Sequence, residues 1–157
     1  MKKILSVLII LFVFPTYCLS EPSIPIKNQV VLDKGSDYLP YKKIWKPSVD
    51  DTQKALTAIY NFLKSPEKEA IWRSGNYEFS EREIKNIYDN ISKYNVQFVG
   101  IISKGKKRIY CNFFPNEIDD YWKKDLVFVF DGGFWFWQIE YDLETGKCLN
   151  FQSNGYA

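Results

Sequence analysis

With 157 residues, 21 lysines and arginines against 19 acids, and no histidine, the chain is barred from several chemistries by composition alone. The missing imidazole excludes Ser-His-Asp and Cys-His catalysis, histidine metal ligation and the ordinary neutral-pH base. Carboxylate chemistry survives, in which a pair of acids works as acid and base or nucleophile; no Cys-x-x-Cys, phosphate-binding glycine loop or calcium-loop pattern stands beside it.

The first element is a targeting segment. Lys2 and Lys3 precede an apolar run from Ile4 to Phe14, and the more polar Thr16 to Ser20 follows, the layout of a secretory signal peptide. The run is too short for a comfortable membrane span, so cleavage after Ser20 is expected, with an uncleaved N-terminal anchor as the alternative. Cys18 lacks the small preceding residue that lipoprotein processing wants. Cleavage takes away two lysines and no acid, leaving 19 basic and 19 acidic residues. A neutral chain has no electrostatic footprint for nucleic acid or an anionic bilayer.

Residues 21–47 read as an extended arm. Pro22, Pro25, Pro40 and Pro47 punctuate it, yet Val30-Val31-Leu32 and Tyr38, Tyr41 and Trp45 are too apolar for a free linker. The rest, 48–157, reads as a single domain. Ser48-x-x-Asp51 resembles a capping box and opens a helical stripe of Leu56, Ile59, Tyr60 and Leu63 that Ser65-Pro66 stops. Ser80-x-x-Glu83 is a full capping box ahead of Ile84, Ile87, Tyr88 and Ile91. The connector between them has the makings of a helical turn near Ala70-Ile71-Trp72.

From Tyr94 the apolar period changes to two. Strands are expected over 96–102 and 107–114, joined at Lys104-Gly105, and over 126–130 and 134–141, joined at Asp131-Gly132-Gly133. A turn of helix near Tyr121-Trp122 separates the two hairpins, and a last strand, 148–152, follows Leu143-Glu144-Thr145-Gly146. The expected fold class is α+β: two N-terminal helices packed on one face of a five-stranded antiparallel meander, in the cystatin-like or NTF2-like style.

Turn lengths give the register. The first hairpin pairs Val96 with Phe113, Phe98 with Cys111 and Gly100 with Ile109 on the inner face, and Gln97 with Asn112, Val99 with Tyr110 and Ile101 with Arg108 on the outer. A two-residue Gly-Gly loop sets Phe130 against Trp135, Phe128 against Trp137 and Leu126 against Ile139 inside, since a slip by one would flip every side chain. In the last hairpin a three-residue loop pairs Tyr141 with Leu149 and Ile139 with Phe151 inside, leaving Cys148 outside. Cys111 and Cys148 then lie on opposite faces of non-adjacent strands, which argues against a disulfide, while the oxidising compartment and the even count argue for one. The question stays open at this level.

The outer face is then left with an apolar centre and a polar edge, a combination that monomers rarely expose over a large area. Its candidate binding residues are Tyr110, Val129, Phe134, Phe136, Gln138 and Glu140, fit for a protein or peptide partner; the alternative is that the arm covers the face permanently. No cofactor, metal or catalytic residue is implied. Asp119 and Asp120 are better explained by solvation, Asp131 by its turn and Glu140 by the outer face than as the convergent acid pair a hydrolase acting on cell-wall glycan needs.

Tyr141-Asp142-Leu143-Glu144-Thr145-Gly146-Lys147 resembles the closing hairpin of PepSY-type secreted domains, with their D-x-x-T-G-K turn. The resemblance implies peptidase inhibition or a similar protein contact. More broadly, residues 95–157 are similar to small exported bacterial proteins of unknown function, which implies export and no activity. The reading that results is a non-catalytic secreted or periplasmic binding or inhibitor-like module, with a carboxylate hydrolase or a purely structural exported protein as alternatives.

Overall fold

A computed structural model describes residues 25–67, 70–71 and 81–155. The targeting segment, the Ser80 cap and Trp72 lie outside the described residues. The fold is α+β, with two helices and a six-stranded mixed sheet.

Helix α1, Val49–Lys64, starts where its cap places it. The Ser48 hydroxyl accepts the Asp51 N–H at 3.2 Å and the Asp51 carboxylate accepts the Ser48 N–H at 3.0 Å. The Ser48 hydroxyl also donates to the Asp51 carboxylate at 2.7 Å, and this bond first, then the one from the Ser48 N–H, holds the Asp51 carboxyl below its ordinary range. Its buried stripe includes Ala55, Leu56, Ile59, Phe62 and Leu63. Helix α2, Glu81–Asp89, buries Ile84 and Ile87, and the Tyr60 and Tyr88 hydroxyls meet across the helix pair at 3.1 Å.

Four strands follow, each antiparallel to the next: β3, Tyr94–Ser103; β4, Lys106–Pro115; β5, Trp137–Asp142; and β6, Cys148–Ser153. The β3–β4 hairpin has the expected register at every pair, including Phe98–Cys111 and Val99–Tyr110. Its turn is set by Lys104 and Gly105, both at positive φ (49° and 78°), the geometry that matches the strand twist in a two-residue hairpin.

The second expected hairpin does not form. Residues 126–130 are not a strand, Gly133–Trp135 is a 3-10 turn, and β5 pairs with β4 instead. Phe130 therefore does not oppose Trp135; it is 85% exposed. The local turn loses to a non-local contact: Trp137 stands opposite Phe113, their rings stacked at 3.7 Å and 2°. The excluded segment is held by side chains rather than by a ladder. The Gln97 amide donates to the carbonyls of Trp122 and Asp125 and accepts from the Val127 N–H, while Asn112 donates to the Val127 carbonyl at 2.8 Å. These amides do for a buried irregular backbone what a neighbouring strand would do. The turn of helix expected near Tyr121-Trp122 is present, as a 3-10 turn at Asp120–Lys123.

The arm is not irregular throughout. β1, Gln29–Leu32, runs parallel to β3, and β2, Ile44–Trp45, pairs antiparallel with the same edge further along. Instead of a five-stranded meander, the sheet has four consecutive antiparallel strands extended by two short arm strands. Trp45 explains why position 100 is glycine: a Cβ there would lie 2.2 Å from the Trp45 carbonyl oxygen. The Trp45 indole donates to the carbonyls of Ile101 and Arg108, at 3.2 and 3.3 Å, and so pins the arm to the first hairpin.

The last hairpin is shifted by one from expectation. Asp142 pairs with Lys147 through its N–H, giving a four-residue loop, and its carboxylate accepts the N–H groups of Glu144 and Thr145 at 3.0 Å each. Tyr141 consequently faces Cys148, and an irregularity between Gln138 and Glu140 restores Gln138 opposite Gln152. Phe151 stays inside, fully buried.

Cys148 thus points inward, into the same core cluster as Cys111, not to the opposite face. Both are buried free thiols. Burial pushes Cys111 well above its ordinary range and Cys148 up to about 12. They lie on β4 and β6 with β5 between, so two strand spacings of about 4.8 Å separate them, beyond the ~7 Å that a disulfide spans. Both thiols are therefore expected to react with a maleimide after denaturation without reductant, and neither before it. Thiols that stay blocked after denaturation would refute this separation.

Candidate functional site: an aromatic cleft on the outer sheet face

The helices fill the inner face, and the outer face is covered twice. The arm brings Leu32 and Leu39 over Val99 and Ile101, with Tyr41 and Tyr110 alongside. Residues 116–136 bring Trp122 and Val127 over Phe114, with Phe136 alongside. Between the two coverings a cleft of about 290 Å³ remains. Tyr38 to Tyr41 form one wall and Val127 to Phe130 the other; Tyr110, Gln138, Glu140 and Gln152 lie beneath.

Five of the six residues expected at this face line the cleft: Tyr110, Val129, Phe136, Gln138 and Glu140. Phe134 does not. It belongs to the 3-10 turn, packs against the inner core, and its carbonyl accepts the Tyr94 hydroxyl at 2.9 Å. Sequence reasoning missed the lip. Tyr38, from the arm, stacks on Phe128 at 4.3 Å and 9°, and Phe128 meets Phe130 edge-on at 5.1 Å. The three rings are 63%, 41% and 85% exposed. The signal for Tyr38 is in the sequence, because the arm's aromatics need a surface; the expected hairpin, which does not form, puts Phe128 and Phe130 inside.

Glu140 anchors the floor. Its side chain is 5% exposed, its Oε2 accepts from Arg108 Nη1 at 2.9 Å, and its Oε1 accepts from Asn150 at 2.9 Å and from the Tyr41 hydroxyl. Arg108 also faces Asp142 at 3.4 Å. Burial first, then the bond to Glu140, pushes the Tyr41 phenol far up; burial, with Tyr41 next, does the same to Tyr110. Both phenols remain neutral donors across the physiological range. Among the described residues, Glu140 is the only acid lining the cleft, and both its oxygens are engaged. The arrangement can orient and hold a ligand, but it offers no free acid–base pair.

A second, larger groove of about 730 Å³ runs along α1 to the β5–β6 turn. Its acids are tied to lysines, Asp50 to Lys54 at 2.6 Å and Glu67 to Lys147 at 3.7 Å. Among the described residues no cluster of acids and cysteines is placed to hold a metal ion, and no helix is long and apolar enough to cross a membrane. No family model matches the chain, and no curated protein or solved structure matches it either.

Proposed function

We propose that this chain is an exported, non-catalytic binding module whose working surface is the cleft on the outer sheet face. The observation that carries the reading is the lip: three contiguous aromatic rings left open to water above a floor of partly uncommitted polar groups. Contiguous exposed aromatics are rare on a face with no partner, and such rings are the usual anchors of recognition. Export rests on the segment through Ser20, and the PepSY-like closing turn and the cystatin-like or NTF2-like style of layout fit a module that binds rather than reacts.

A structural reading has its own support, because the arm is integrated by β1, β2 and Trp45 and already covers much of the outer face. The lip separates the two. Phe130→Asp alters a ring that packs on nothing buried, so on the binding reading it removes retention of envelope-extract material while the melting temperature stays within a few degrees. If the lip is instead a cover in its own right, the same substitution lowers the melting temperature by more than a few degrees, and retention by the wild-type protein is absent from the start. That second outcome would end the binding reading.

A further inference from the structure

The cleft's polar groups narrow what can sit in it. Among the described residues no lysine or arginine lines it, and the single acid that does is neutralised by Arg108, so a charged ligand finds no counter-charge there. Several hydrogen-bonding groups are nevertheless free. The Tyr110 hydroxyl and the Gln152 amide make no hydrogen bond among the described residues. Asn150 and Gln138 commit their NH2 groups to Glu140 and Asn154, at 2.9 and 3.2 Å, and leave their carbonyl oxygens open. What remains is a mixture of donors and acceptors with acceptors in excess, beside the aromatic rings of Tyr38, Phe128 and Phe136.

A proline-rich segment brings carbonyl acceptors and few N–H groups, so it would leave those oxygens unpaired, and a purely apolar ligand would leave all of them so. Hydroxyl groups both donate and accept. A ligand with a ring of hydroxyls around its edge and a C–H face can meet the amides with the edge and the negative face of an aromatic ring with the other side. The volume is at the small end for ligand cavities, enough for a compact unit and not for a folded surface. Resting on the binding reading above, we infer that the cleft takes an uncharged sugar unit of a glycan, seated beneath the Tyr38–Phe128 lip with its C–H face toward the cleft's aromatic rings and hydrogen-bonded to Tyr110, Gln138, Asn150 and Gln152.

The test is calorimetric titration of the purified protein with neutral tetrasaccharides (cellotetraose, chitotetraose, maltotetraose and mannotetraose), and with a capped neutral peptide of alternating Thr and Val. Binding of at least one saccharide is expected, insensitive to salt because no ion pair forms. Tyr38→Ala and Phe128→Ala should each weaken it at least tenfold. Tyr110→Phe, which removes one hydroxyl and no packing, should weaken it by about fivefold, the size of one neutral hydrogen bond. Melting curves for each variant keep loss of fold apart from loss of binding. No saccharide binding up to about 10 mM, weaker than the usual millimolar floor, overturns the inference, as does binding that Tyr38→Ala and Phe128→Ala leave unchanged. If only the peptide binds, and the lip variants abolish it, the sugar assignment fails while the binding reading stands. If Phe130→Asp also leaves retention of envelope material intact, both fail.

Discussion

Arg108→Ala is expected to lower the unfolding free energy by about 3–5 kcal/mol, the range for removing one partner of a buried ion pair. The Arg108 side chain is 13% exposed and stands between Glu140 and Asp142, at 2.9 and 3.4 Å, whose side chains are 5% and 3% exposed. Without it, two carboxylates two residues apart on β5 keep their burial and lose the cation that faces both. Urea denaturation measures the loss, and proteolysis of residues 33–43 should quicken, because Tyr41 fastens the arm to Glu140. Lysine at 108 should recover only part of the loss, since one ammonium cannot reproduce the fork that reaches both acids.

The pH dependence carries a sign. Burial pushes the Asp142 carboxyl up, but the N–H groups of Thr145 and Glu144, the Thr145 hydroxyl and Arg108 outweigh it, so its folded pKa is depressed. A depressed acid stabilises the fold above its unfolded pKa of about 3.9 and loses that contribution as pH falls through the lower folded value. Arg108 is the smallest of these causes, so the gap between wild type and Arg108→Ala should be widest near neutrality and narrow as the solution is acidified below pH ~4. A gap that stays constant down to pH ~3 would mean that lost packing, rather than unpaired charge, causes the destabilisation.

The parts legible in the sequence are those decided by neighbours along the chain. The capping box at Ser48 and the two-residue turn at Lys104-Gly105 fix α1 and the β3–β4 register with no help from elsewhere. What failed was decided at a distance. Asp131-Gly132-Gly133 carries hairpin chemistry, but β4 offers an unpaired edge and Phe113, and the chain crosses residues 116–136 to reach it. Once that pairing is lost from view, Phe128 and Phe130 are assigned to the core and the lip of the cleft disappears. The outer-face amides likewise do not form the polar edge that alternation along the strands predicts. Gln97 and Asn112 are buried and bind the backbone of the segment that fails to become a strand. Five cleft residues were still found because Tyr110, Gln138 and Glu140 keep their face under either pairing of β5, and Val129 and Phe136 lie over that face whether or not they are in a strand.

Trp137 offers the second large effect and explains the aromatic run around it. Of the four consecutive aromatics, Phe134 and Trp135 pack at the inner edge, Phe136 turns to the outer cluster, and Trp137 enters the core fully buried. The run is aromatic on both faces because a 3-10 turn holding Phe134 and Trp135, followed by the extended cap residue Phe136, replaces a continuous strand. Trp137 stacks on Phe113 at 3.7 Å and meets Phe151 at 5.7 Å, yet its indole N–H is buried with no hydrogen-bond partner among the described residues. Trp137→Ala should cost about 3–5 kcal/mol through the cavity it leaves. Trp137→Phe also loses volume, but it keeps the face that stacks on Phe113 and deletes an unpaired buried donor whose desolvation costs about 1–3 kcal/mol. The two terms oppose, so the phenylalanine variant should lose no more than about 1.5 kcal/mol. Paired urea unfolding curves give the comparison directly. If Trp137→Phe proves as costly as Trp137→Ala, the indole N–H makes a favourable contact in the folded protein, and the orphaned donor does not weaken this core.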